Sequence, residues 1–209
     1  MDFILARFRP KKLFINGDAR IEGNYQEILE QARRTGTAVL LPEAGEKLVK
    51  QGNAESDAES DTELTVVSGA VQTAEQGGGS VNDGSLVLRY RHGRRAFLFP
   101  GDIEKKREAV LIGQGRELTA DVLLAPHHGS STSSSAALLD AVAPSLIIVS
   151  AGRDGEKHFP APKNLAVWTE RGIPAAVTRT QGTISCETDG EQLRCLDFQN
   201  NQPLLPPQS

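Results

Sequence analysis

An α/β (α+β) fold is what the pattern of apolar residues predicts, on three observations. From Ser85 to Phe198, short apolar runs alternate with helix-length segments. Most runs stop at a glycine, proline or serine. Several, such as Val122-Leu123-Leu124 and Leu146-Ile147-Ile148-Val149, are apolar at every position, the mark of strands buried on both faces.

In order along the chain, Phe3, Ile4, Leu5 and Phe8 predict a short helix ending before Pro10, followed by a strand over Lys11 to Gly17. Asn24 with Glu27 three residues later predicts a helix start. Tyr25, Ile28, Leu29 and Ala32 share one face of it, and Gly36 closes it. A strand at Thr37 to Leu41 stops at Pro42. Glu43 to Glu63 is polar and acidic, and its middle, about 50–62, reads as a disordered insertion, because such a composition buries too little apolar surface to offset the entropy of ordering. Leu64 to Val71 is a predicted strand, Gln76 to Gly84 a glycine-rich loop, and Ser85 to Tyr90 with Arg95 to Phe99 a hairpin. Helices are expected over Ile103 to Ile112, Ala136 to Val142 and Lys163 to Arg171. Strands are expected over Asp121 to Ala125, Ser145 to Ser150 and Ala175 to Thr178, then a hairpin of Thr183 to Glu187 with Leu193 to Phe198. This makes one domain over 1–198, with a loose tail over 199–209 rich in proline.

Composition narrows the function classes. With 38% hydrophobic residues, 20 glycines and 11 prolines in 209 residues, part of the chain is expected not to pack. A net charge of −4 gives no long-range pull on a polyanion, so nucleic acid would need a local basic patch. No apolar stretch approaches a membrane span, and the N-terminal residues do not read as a signal peptide, so the expectation is a soluble, cytosolic chain. Cys186 and Cys195 flank Asp189-Gly190. A two-residue loop makes them diagonal neighbours, whereas a four-residue loop, Asp189 to Gln192, sets them opposite one another, where a cross-strand disulfide can form; two ordinary thiols are the default. No CxxC pair offers a cysteine-based zinc site, and no GxSxG marks a serine nucleophile.

Three segments place a ligand-type residue after a predicted strand. Phe97-Leu98-Phe99-Pro100-Gly101-Asp102 ends in a glycine that lets the backbone approach whatever the Asp102 carboxylate binds; the alternative is that Asp102 caps the following helix. Val122 to Ser130 carries the adjacent pair His127-His128 before Gly129. On an extended chain adjacent side chains diverge, so one imidazole is expected on a metal and the other behind it or on substrate. The serines from Ser130 to Ser135 read as a flexible linker when taken alone. His158-Phe159-Pro160 follows the strand ending at Ser150; a lone histidine there is more often a packing residue. Arg89, Arg91, Arg94 and Arg95, with Lys105, Lys106 and Arg107, are either a phosphate-binding patch or a solvated face.

Taken together, Ser85-Leu86-Val87-Leu88, Pro100-Gly101-Asp102, Pro126-His127-His128-Gly129-Ser130, Ile148-Val149-Ser150, His158 with Pro160, and Arg179-Thr180 with Gly182 resemble the C-terminal part of ComEC-type competence proteins. The likeness runs from about Phe3 to Glu187 apart from the acidic insertion. It implies an incomplete metallo-β-lactamase αββα sandwich with a dinuclear zinc or manganese site, cleaving DNA phosphodiesters during uptake. In that scheme Asp102 bridges the metals and His127, less readily His128, is a terminal ligand. His128 otherwise touches substrate or supports the ligand, and His158 is a pocket residue or auxiliary ligand. Arg94, Arg95, Lys105 and Lys106 are the candidate DNA contacts. The resemblance also implies association with the cell membrane and with a membrane-embedded competence protein.

One departure shapes the expectation. The family's upstream ligand motif, of the HxDxDH type, has no counterpart here, and the single histidine before Asp102 is His92 in the predicted hairpin. A catalytic zinc takes three protein ligands. The chain is therefore expected to be a fragment that binds metal weakly alone. The alternatives are a non-catalytic remnant, a half-domain completed by a separate N-terminal partner, and a related hydrolase acting on another phosphoester.

Overall fold

Residues 2–18, 24–51, 62–69, 80–152 and 159–205 are described by the structure, a computed structural model of the chain. Its centre is a mixed seven-stranded sheet in the order β3-β4-β5-β6-β7-β8-β9. β3 (Lys47–Gln51), β4 (Thr62–Ser68), β5 (Val87–His92) and β6 (Arg95–Phe99) form an antiparallel meander. β7 (Val122–Leu124), β8 (Leu146–Val149) and β9 (Ala175–Val177) then continue parallel to β6. Parallel neighbours need crossovers. α3 (Lys105–Gly113), α4 (Ala136–Val142) and α5 (Pro162–Glu170) supply them.

The strand alternation divides two cores. Ala96, Leu98, Leu123, Ile147 and Val149 face the helices and pack with Ile103, Leu111, Leu138, Leu139, Val142 and Trp168. Phe97, Val122, Leu146, Ile148 and Ala176 face the other way, under a hairpin of β10 (Ile184–Thr188) and β11 (Leu193–Asp197) and under Leu204 and Leu205. Covering both faces is why these strands read as uninterrupted apolar runs. The tail expected to be loose packs down as far as Leu205, which is buried, and Leu204 N–H donates to the Cys195 carbonyl.

A smaller unit precedes the sheet. α1 (Asp2–Phe8) and α2 (Tyr25–Thr35) accompany a parallel pair, β1 (Lys12–Phe14) and β2 (Ala38–Leu40). The helix expected after Asn24 is present, but the Asn24 side chain makes no capping bond. Asn16 ties this unit to the rest by donating from Nδ2 to the Gly84 carbonyl. α1 leaves Phe3 71%, Ile4 48% and Phe8 70% exposed, so one of its faces packs on nothing in the described residues.

Two expectations move. β3 is a strand inside the stretch read as lacking apolar order, and Gln51 pairs with Thr62. Lys50, Gln51 and Thr62 therefore belong to strands rather than to the insertion, whose remaining residues, 52–61, lie outside the described set. Leu48 and Val49 are adjacent rather than alternating, so no period-two pattern marks this strand among its charged surroundings. Cys186 and Cys195 form a disulfide, against the default of two free thiols. β10 ends at Thr188 and β11 begins at Leu193, so the loop is the four-residue alternative and the cysteines are directly paired.

With nine positions separating the cysteines, closing so short a loop limits the unfolded chain by about 3 kcal/mol. Reduction should lower the melting midpoint by on the order of 5–10 °C. Scanning calorimetry with and without reductant measures this, with intact-mass analysis after alkylation to count free thiols. No shift, or two alkylated thiols in the unreduced protein, would be the contrary result.

Candidate functional site

Three loops meet at the edge of the sheet where β6, β7 and β8 end. After β6 the chain turns through Pro100 and Gly101 to Asp102. Gly101 has φ +61, and a Cβ there would stand 2.7 Å from the Ser85 Cβ, so the turn closes against Ser85 only with glycine. The Ser85 hydroxyl accepts from Asp102 N–H at 3.1 Å. α3 starts at Lys105, two residues later than expected, with Glu104 at its cap position. Asp102 is thus outside the helix, and the capping alternative drops away.

After β7 the segment 126–129 makes a tight turn. His127 (φ 49) and His128 (φ 56) are both in the left-handed region, where a side chain costs about 1–2 kcal/mol per residue. Strained pairs of this sort persist only where surrounding contacts over-determine them. Those contacts are specific. His127 N–H donates to the Gly101 carbonyl at 3.0 Å, bolting this turn to the Gly-Asp turn. Asn164, buried on α5, donates from Nδ2 to the carbonyls of Gly129 and Ser130 at 2.9 and 2.8 Å. Ser133 Oγ donates to the Pro126 carbonyl at 2.6 Å. Glu108, wholly buried on α3, accepts from Ser134 N–H at 2.6 Å and Ser135 N–H at 2.8 Å. Gly129 (φ +76) lies under Phe159-Pro160, and a Cβ on it would come 2.6 Å from the Pro160 Cβ. The serine run is a buried brace rather than a linker, with Ser130, Ser133 and Ser134 all below a tenth exposed.

This turn overturns the extended-chain premise for the histidine pair. Both rings lie by Phe159, with centroids 6.2 Å away for His127 and 5.9 Å for His128. They differ in their carboxylates. His128 Nε2 is 3.7 Å from Asp102 Oδ1, with both side chains nearly half exposed. His127 Nδ1 is 3.5 Å from Glu104 Oε1, with both side chains largely covered. Glu104 is itself held: Thr132 Oγ1 donates to its Oε1 at 2.9 Å, Ser80 Oγ to its Oε2 at 3.3 Å, and its own N–H donates to Asp83 Oδ1 at 2.9 Å. Asp83 also faces Arg107, whose guanidinium burial pushes down in pKa while the Asp83 charge opposes that shift.

The expected site residues separate accordingly. Asp102, His127 and His128 come together, and His158 lies outside the described residues. Arg94 and Arg95 are at the far end of β6 from Asp102, and a five-residue strand spans about 17 Å. There Arg94 pairs with Glu191 at 3.2 Å, and Arg95 pairs with Asp121 at 3.1 Å and donates to the Glu191 carbonyl. Lys105 and Lys106 begin α3 on the near side, Lys105 Nζ reaching the Ser131 carbonyl at 3.2 Å. Glu104, Glu108 and Asn164 escaped the sequence reading, and Phe159 figured in it only as the neighbour of His158. Only Glu104 had a local signal, as a second carboxylate two positions after Asp102. Among the described residues no group of three or more histidine, cysteine or acidic side chains stands close enough to hold a metal ion, so by themselves they do not fit a catalytic zinc, which needs three protein ligands.

No protein-family model matches the chain. Over 183 residues, 88% of its length, it is 27% identical to ComE operon protein 3 of Bacillus subtilis. It is 44% identical over 72 residues, 34% of its length, to competence protein ComA of Neisseria gonorrhoeae. It is 38% identical over 79 residues, 38% of its length, to recombination protein 2 of Haemophilus influenzae. The chain spans 22% of the Bacillus protein and 10% of each of the other two. Among the described residues no helix is long and apolar enough to cross a membrane.

Replacing Glu108 strands two buried backbone N–H groups. Glu108→Ala should cost about 3 kcal/mol or more and broaden the ring resonances of His127 and His128 while the β10–β11 hairpin keeps its spectrum. Urea unfolding with proton NMR checks both. An unchanged midpoint would show that the brace does not depend on this carboxylate.

Proposed function

From the homology of this chain to part of the ComEC-type competence proteins, we propose that it is one half of a metal-dependent hydrolase domain of metallo-β-lactamase αββα type, directed at DNA phosphodiesters during uptake. The observation that carries this reading is the pairing of Asp102 with His128 at the carboxyl ends of neighbouring parallel strands. Their facing atoms are 3.7 Å apart, and two ligands of one tetrahedral zinc, with bonds of about 2.0–2.2 Å, lie roughly 3.4 Å apart. A carboxylate and an imidazole so placed are two corners of one coordination sphere. This reading takes His128 as the ligand beside Asp102; His127, preferred on sequence grounds, has its Nδ1 beside Glu104 and its Nε2 left over as a further donor. His158 stays an auxiliary ligand or pocket residue on sequence grounds alone.

Two ligands do not make a catalytic site, so a zinc or manganese ion binds usefully only when donors from outside the described residues join them. This reading takes those donors from the other half of the domain, with His158 as an auxiliary. The exposed Phe3, Ile4 and Phe8 on α1 and the two-stranded β1–β2 sheet, too small to be stable alone, favour a half-domain. The partner in this reading is the remainder of the domain, as part of a membrane-embedded competence protein. Held by Asp102, His128 and those further donors, a metal ion would supply Lewis acidity toward water and the phosphodiester. The residues of this chain hold the edge rigid, and Lys105 and Lys106 offer positive charge to the DNA backbone beside it.

Metal titration calorimetry and a nuclease assay test the proposal, on this chain alone and with the N-terminal remainder of the domain from a full-length relative. Weak binding and little cleavage are expected from the chain alone. Both should rise on reconstitution, and Asp102→Ala or His128→Ala should lower cleavage at least a hundredfold. Strong cleavage by the chain alone would refute the half-domain reading. A well-folded, inactive pair would refute the nuclease.

A further inference from the structure

His127 presents a chemical problem that the proposed site does not solve. Its Nδ1 is buried and has no hydrogen-bond partner, although a ring nitrogen shut away from water needs one. The nearest acceptor is Glu104 Oε1 at 3.5 Å, beyond a good hydrogen bond by about 0.6 Å. A neutral imidazole carries one N–H and one lone pair. If the lone pair were on Nδ1, it would face a carboxylate in a covered site and be repelled. If the proton is there, the same carboxylate attracts it. Glu104 has little freedom to retreat, because Thr132, Ser80 and Asp83 fix both its oxygens and its N–H. Lys105 N–H adds a tie from the next residue to the Thr132 carbonyl at 3.0 Å.

We propose that Glu104 is a positioning residue that locks His127 in the Nδ1–H tautomer, leaving Nε2 as the ring's only lone-pair donor. The two adjacent histidines then have separate duties. His128 pairs through Nε2 with the exposed Asp102, and His127 is oriented from behind by a carboxylate that never meets the ligand. The inference deepens the proposed hydrolytic site, resting on it for its purpose though not for its geometry.

Long-range proton–nitrogen correlation NMR of the metal-free, 15N-labelled chain, at a pH where imidazoles are neutral, reads the tautomer directly. His127 should show the Nδ1–H pattern, the one that free histidine disfavours. Glu104→Ala should shift the tautomer ratio of His127 toward Nε2–H by about tenfold or more and leave His128 unchanged. Glu104→Gln, which keeps an acceptor oxygen at the same reach, should restore the wild-type pattern. An Nε2–H pattern for His127 in the wild type, or an Nδ1–H pattern that survives Glu104→Ala, would overturn the proposal. Should Glu104→Ala not fold, Thr132→Val decides: freeing Oε1 from its competing donor should move the Nδ1 proton downfield, and no movement overturns the lock. None of these readings depends on cleavage, so an inactive reconstituted domain would count against the hydrolase and not against the lock.

Discussion

The buried carboxylate of Glu108 is the interaction on which this edge of the sheet depends. It sits on α3 with no solvent contact and closes on the backbone of Ser134 and Ser135. Nothing else in the described residues satisfies those two N–H groups in their place. Asn164 does the equivalent from α5 for the carbonyls of Gly129 and Ser130. The two clamps hold the chain just after the histidine pair, at Gly129 and Ser130, and again at Ser134 and Ser135, from helices that are themselves fixed in the larger core. That is what allows two successive histidines to remain in a left-handed turn.

The architecture explains why the clamps reach. Parallel strands return through helices, so each strand end at this edge is followed by a helix packed behind it. α3 follows the Asp102 turn, α4 the histidine turn, and α5 the Phe159-Pro160 segment. The turns that carry Asp102, His127 and His128 are therefore backed by helices from neighbouring crossovers. On the other face the β10–β11 hairpin, closed by its disulfide, seals the apolar side chains of β7, β8 and β9. Rigidity at the edge and a double-covered sheet are consequences of the same connectivity.

Much of this was legible in the sequence. From Val87 onward the strands and the three crossover helices were expected within two residues, because fully apolar runs and 3.6-residue periodicity are strong local signals, whereas the one-turn helix Thr178–Gln181 was not expected. Asp102 and His127-His128 stood out through residue type and strand-end position. The clamps were not legible. Glu108 looks like an ordinary charge on a helix face, Asn164 like an ordinary polar one, and the serines like a linker; only tertiary contact turns them into a brace. The backbone of the histidine turn was not legible either, since left-handed φ at two histidines cannot be read from a motif that also suits an extended chain. β3 was lost because its few apolar residues lie in an acidic, lysine-bearing context, where local pattern is weaker than the strand pairing that selects it.

Native-state hydrogen exchange at the amides of Ser134 and Ser135 is the most direct test of the clamp. If Glu108 holds this segment, both amides exchange as slowly as those of Leu123 and Ile147 in the central strands, by global unfolding alone. Exchange at rates typical of an open serine-rich loop would contradict the account, because Glu108 would then not be holding the segment that follows the histidine turn.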